Sequence, residues 1–157
     1  MPKADRDRDG AGRARNDRPR DGLGRPLPRG AAGEPTIPED LRLPPDEGVA
    51  LAQDLLDAGR PFHAHEVLEA LWKAEPDPAR RQVWQALAQV AVGLTHEARG
   101  NTAGAQRLVA RGRDGLAARA VDPAEVDAAG VLAWADRWLG GERSGPPRLD
   151  GRVGPLS

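Results

Sequence analysis

Two of the three histidines stand where an imidazole can work with a carboxylate. His65 and Glu69 are four residues apart, so on a helix they lie one turn from each other on the same face. A pair of this kind supports general acid–base chemistry, because burial raises a carboxyl pKa and tunes an imidazole around neutrality. Adding His96 gives two imidazoles and a carboxylate, a ligand set for zinc or another divalent ion with a position left open for water. His63 cannot join them, since side chains two apart on a helix diverge by about 200°. His65-Glu66-x-x-Glu69 also departs from the zincin pattern, which needs a second histidine where Glu69 stands. With no cysteine in the chain, thiolate metal sites, disulfides and cysteine nucleophiles are excluded together. Water would be the nucleophile of any such reaction.

These side chains need helices to position them, and helical spacing dominates the chain from Asp46 onward. Helix one is expected over 46–58, stopped by Gly59. Pro61 suits the first turn of helix two, which carries Phe62, Ala64, Val67, Leu68, Leu71 and Trp72 and ends before Pro76. Asp77-Pro78 reads as an N-cap and N1 proline opening a third helix to about residue 99. Gly100 supplies a left-handed C-cap, and Asn101 or Thr102 caps helix four, over 103–119. Asp122-Pro123 repeats the start signal for helix five, which is expected to run to Leu139. No alternating run of β-branched residues reads as a strand. The expected fold is all-α, a compact bundle of five helices. The spacing Gly59-x4-Ala64 recurs as Gly100-x4-Ala105, a turn that resembles those of tetratricopeptide hairpins.

On a wheel of about 100° per residue from Phe62, His65 falls at about 300° and Glu69 at about 340°, next to Trp72 at about 280°. The pair is therefore expected to be half buried, with Glu66, Ala70 and Lys73 turned to water. Gln82 to Thr95 contains no charged residue, which points to a third helix buried on more than one side. Val83, Trp84, Leu87, Val90, Ala91 and Leu94 form one apolar stripe, while Gln85, Gln89, Val92 and His96 form a polar row at successive turns. An unsatisfied buried polar group costs about 1–3 kcal/mol. The row is thus expected to meet His65 and Glu69 across the helix-two/helix-three interface.

The string Phe62-His63-Ala64-His65-Glu66-Val67-Leu68-Glu69-Ala70-Leu71-Trp72, then Gln85-Ala86-Leu87-Ala88-Gln89, then His96-x3-Gly100-Asn101-x2-Gly104-Ala105, resembles a bacterial family known as domain of unknown function number 309. That family reads F-x-A-H-E-x-x-E-x-x-W, Q-G-L-x-Q and H-x-x-x-G-N-x-x-G-A, and the resemblance covers about residues 48–118. It implies a small all-helical protein of no established activity, with His65, Glu66, Glu69, Trp72, Gln89 and His96 at motif positions. Ala86 stands where the family has glycine, which implies slightly wider helix packing there.

Composition bounds the remainder. The 157 residues carry 23 basic and 24 acidic side chains, so no global positive field draws nucleic acid. Residues 1–45 hold eight of the 15 prolines, six glycines and no aromatic, and are expected to form a disordered tail. Residues 142–157 return to glycine, proline and charge and are expected to be loose, leaving 46–141 as the helical domain. No stretch approaches the ~20 apolar residues of a membrane span or the ~7–15 of a secretory signal, so a cytoplasmic location is expected. Nine basic residues against five acidic in 1–30 make salt-sensitive phosphate contacts conceivable, but specific reading of nucleic acid is not expected without aromatics there. Trp134 and Trp138, one turn apart, are core or a face for self-association. The expected function is a non-enzymatic module, without cofactor, that binds a protein, peptide or small ligand near His65, Glu66, Glu69, Trp72, Gln85, Gln89 and His96. The rival is a metal-dependent hydrolase with His65, Glu69 and His96 holding a divalent ion such as zinc.

Overall fold

A computed structural model describes residues 37–38 and 41–150. Five helices follow one another: α1 (Pro45–Asp57), α2 (Pro61–Ala74), α3 (Pro78–Ala98), α4 (Thr102–Ala117) and α5 (Ala128–Leu139), with no strand among the described residues. The fold is an all-α bundle in which each helix packs on the next. The expected tail over 1–45 lies outside the described residues except at 37–38 and 41–45, as do 151–157 at the other end.

Local signals explain most boundaries. Pro61 and Pro78 occupy first turns, where a missing N–H costs nothing, and the Asp77 carboxylate accepts from Ala79 N at 3.0 Å. Gly59 and Gly100 have φ of +75° and +83°, the left-handed conformation that closes a helix, and Ala64 and Ala105 five positions later are both buried. The two turns therefore perform the same local task.

Helix α3 is the spine. Val83, Trp84, Leu87, Val90 and Ala91 are buried as their stripe predicts, and the uncharged stretch packs on α2 along one side and α4 along another. Ala86 does not widen the contact with α4. Opposite it stand Gly112 and Gly115, and a Cβ on Gly112 would come within 2.6 Å of the Ala86 carbonyl. Two glycines on α4 thus accommodate the side chain on α3.

Helix five begins later than Asp122-Pro123 indicates. Asp122 organises a single turn, accepting from Ala124 N at 2.9 Å, and the chain then breaks because Asp127 N donates to Leu149 O at 2.8 Å instead of to a helical carbonyl. Asp127 is the true cap, accepting from Gly130 N at 3.1 Å.

The C-terminal stretch is also corrected. Over 142–150 it is docked, with Pro147 and Leu149 buried and Leu149 part of the main core. Composition missed this because a few hydrogen bonds and one aliphatic anchor suffice to hold the stretch. The same stretch closes off Trp134 and Trp138, which stack at 6.1 Å between ring centroids and are 5% and 3% exposed. Trp134 Nε1 donates to Gly145 O, and the Arg143 guanidinium lies 4.1 Å over the Trp138 ring. The two tryptophans are interior anchors and offer no face for self-association.

Candidate functional site on the outer face of α2

Which way α2 turns is set by its aliphatic residues. Ala64, Val67, Leu68 and Leu71 enter the core, and His63, 1% exposed, goes with them. That leaves an outward arc carrying Phe62, His65, Glu66, Glu69, Ala70 and Lys73, and these six line one shallow depression of about 350 Å³ together with Ile37 and Pro38. Ile37 is half buried against the core, so a piece of chain preceding α1 forms one wall.

Glu69 is the centre of this surface. Its Oε2 lies 3.0 Å from His65 Nε2 and its Oε1 lies 2.8 Å from Lys73 Nζ, both at one-turn spacing. The His65 and Phe62 rings are tilted against each other with centroids 5.7 Å apart. Burial lowers the His65 pKa below its ordinary value, and the Lys73 charge acts in the same direction. The Glu69 charge and the Phe62 carbonyl oppose them without cancelling them. Near neutral pH the ring is therefore neutral, with Nε2–H donating to the carboxylate and the buried Nδ1 outside hydrogen-bond geometry.

Several expected members of the site lie elsewhere. Glu66, placed in water by the wheel, is half buried in the depression with Oε1 shielded from solvent. Lys73 also contributes to it, and the Glu69/Lys73 spacing was the available signal. Trp72 packs against the core and does not line the depression. Gln85 is exposed and Gln89 half buried on α3. Among the described residues no hydrogen bond or ion pair links either to His65 or Glu69, so the polar row of α3 does not meet the α2 pair across their interface. His65 and Glu69 are half buried, as the wheel expects, but on the arc away from the core, because the four aliphatic residues fix which side of α2 turns inward.

His96 belongs to the α3–α4 turn. Asn101 N donates to His96 O at 2.8 Å, Asn101 Oδ1 accepts from Gly104 N at 3.1 Å, and Asn101 Nδ2 donates to His96 Nδ1 at 3.0 Å. With Oδ1 committed to an N–H, the amide orientation is fixed, and His96 must carry its proton on Nε2. A Cβ on Gly104 would fall 2.5 Å from Asn101 Nδ2, so glycine there makes room for the amide. Among the described residues no group of three or more His, Asp or Glu side chains is placed to hold a metal ion. His65, Glu69 and His96 therefore do not form the three-ligand centre that their residue types allowed.

With this geometry in place, comparison with known proteins locates the motif. Residues 49–108 match the model of the family described as Domain of unknown function (DUF309). The resemblance read from the sequence holds over these residues, which run from α1 into α4. The "Uncharacterized protein YpuF" of Bacillus subtilis (strain 168) is 49% identical over 49 residues, 31% of this chain. The match spans only 28% of that relative's length. No solved structure matches. Beyond the DUF309 match lie α5 and the docked C-terminal stretch. Among the described residues no helix is long and apolar enough to cross a membrane.

Proposed function

We propose that the chain is a non-enzymatic helical binding module, acting in the cytoplasm, whose site is the depression on the outer face of α2. One observation carries this reading. The motif residues Phe62, His65, Glu66 and Glu69 point away from the core and share a single depression. The motif residues Ala64, His96, Gly100, Asn101, Gly104 and Ala105, in contrast, are accounted for by packing and turn formation. The Phe62 ring offers an apolar anchor, and the carboxylates of Glu66 and Glu69, set against Lys73 alone, give the depression a negative balance that suits a cationic group. A protein segment presenting a basic residue beside an aliphatic one fits this chemistry best.

The test is selection of a displayed peptide library on the full chain with counter-selection on Phe62→Ala. Enriched peptides should pair a basic with an aliphatic residue, and should lose at least about tenfold in affinity, about 1.4 kcal/mol, on Phe62→Ala and on Glu66→Gln. Failure to enrich any sequence, or equal affinity for wild type and both variants, would remove the site from consideration.

A further inference from the structure

Residues 145–150 meet the rest of the protein as a bound peptide meets its receptor. Gln53 on α1, 2% exposed, clamps the backbone at two points, with Oε1 accepting from Leu149 N at 2.7 Å and Nε2 donating to Pro147 O at 3.0 Å. From the other side Asp127 N donates to Leu149 O at 2.8 Å. The Leu149 side chain, 1% exposed, fills an apolar slot in the main core, and Arg148 pairs with Asp57 at 2.9 Å. Main-chain bonds supply affinity in such an arrangement, while the aliphatic slot and the carboxylate select sequence. Pro146 and Pro147 favour an extended approach and bring no N–H that needs a partner. Gly141 and Gly145, at φ of +102° and +94°, bracket an exposed connection to α5.

We propose that the groove between α1 and the loop preceding α5 is a peptide-recognition site whose tethered occupant is residues 145–150. It accepts from another polypeptide an extended segment of proline, arginine and leucine chemistry when its own is displaced. The physical demand comes from Gln53. An empty groove would leave the buried Gln53 Oε1, the Asp127 N–H and the apolar slot without partners, with Gln53 Nε2 keeping its bond to Asp57 Oδ1 at 3.0 Å, and a substitute backbone of the same kind restores what is lost. This groove lies apart from the α2 depression and does not depend on it.

The experiment uses the full chain carrying Leu149→Asp, which places a charge in the slot and ejects the segment, with a labelled synthetic peptide of residues 144–151 as probe. The peptide should bind this variant at least about tenfold more tightly than it binds wild type, where the tethered copy competes. Gln53→Leu in the same background should reduce that affinity at least about tenfold, and a scrambled peptide should not bind. A helical variant that ignores the peptide, or equal affinity for variant and wild type, would overturn the proposal. Hydrogen exchange on the wild-type chain decides the matter if Leu149→Asp does not fold. The Leu149 amide should exchange at least about tenfold faster than the slowest amides of α3, reporting local release. Exchange of Leu149 only together with those amides would show a segment that never leaves and would equally overturn the proposal.

Discussion

The α3–α4 turn and the outer face of α2 carry polar side chains of similar kinds, and the fold treats them in opposite ways. In the turn, an imidazole and an amide are consumed: Asn101 bonds His96 and caps α4, Gly104 clears space for it, and Gly100 provides the left-handed residue. On α2, an imidazole and two carboxylates line a depression beside an aromatic ring, and Glu69 is held by His65 and Lys73 of its own helix. Residue type and spacing look equally purposeful in both places. What separates them is whether backbone geometry requires the side chain, and the comparison predicts different consequences of mutation on the two sides.

The largest effect is expected where α3 and α4 touch. Gly112→Ala drives a methyl group against the Ala86 carbonyl and the Val90 side chain, with backbone on one side that cannot rotate away. Overpacking of this kind costs about 1–3 kcal/mol. For a helical domain of this size, each kcal/mol corresponds to a fall in Tm of about 4–8 °C. Thermal unfolding followed by circular dichroism measures it, and an unchanged Tm would mean that the helices can separate there without cost.

Next comes the turn itself. Asn101→Ala removes the cap on Gly104 N and the partner of His96 together, for an expected loss of about 1–2 kcal/mol in urea unfolding. Peptide binding at the α2 depression should be untouched, because the turn contributes no residue to it. Loss of binding without loss of stability would reverse the assignment of the two regions.

These two regions also show what could be read from the chain. The caps at Asp77 and Asn101, the glycine stops and the stripe on α3 are local signals, and each is found where its chemistry places it. The start of α5 and the docking of residues 142–150 were not legible, because both depend on long-range contacts between segments that look unremarkable alone, Asp127 N to Leu149 O for the first and that bond together with those of Gln53 for the second. Part of the geometry of the α2 surface was legible as well. His65 and Glu69 do pair, since one-turn spacing is local, but their direction depends on which side of α2 faces the core. Ile37 and Pro38 carry no signal that would assign them to that surface.

A smaller effect is expected from Glu69→Gln. One-turn helical pairs contribute about 0.3–0.5 kcal/mol each, so loss of both Glu69 contacts, the ion pair with Lys73 and the hydrogen bond from the neutral His65 ring, should cost less than about 1 kcal/mol. Chemical denaturation of this variant beside Asn101→Ala gives the ordering directly. A larger loss for Glu69→Gln would make the α2 surface part of the scaffold and weaken its reading as a binding face.

The finest distinction lies in the titration of His65, followed by NMR through its ring resonances. Burial and Lys73 depress its pKa in the folded chain while Glu69 raises it, so the wild-type ring should titrate below the ordinary value of about 6.5. Glu69→Gln should move that pKa further down, and Lys73→Met should move it up. The consequence for stability has a definite sign. Between the depressed folded pKa and about 6.5 the unfolded chain binds more protons, so stability rises with pH across that window. The contribution of the neutral ring is complete above about 6.5 and is lost as pH falls through the folded value. In Glu69→Gln the loss should extend to lower pH. A His65 that titrates at or above its ordinary value would mean that Glu69 outweighs burial, and the outer face of α2 would then present an imidazolium–carboxylate pair in place of a neutral ring donating to a carboxylate that Lys73 also holds.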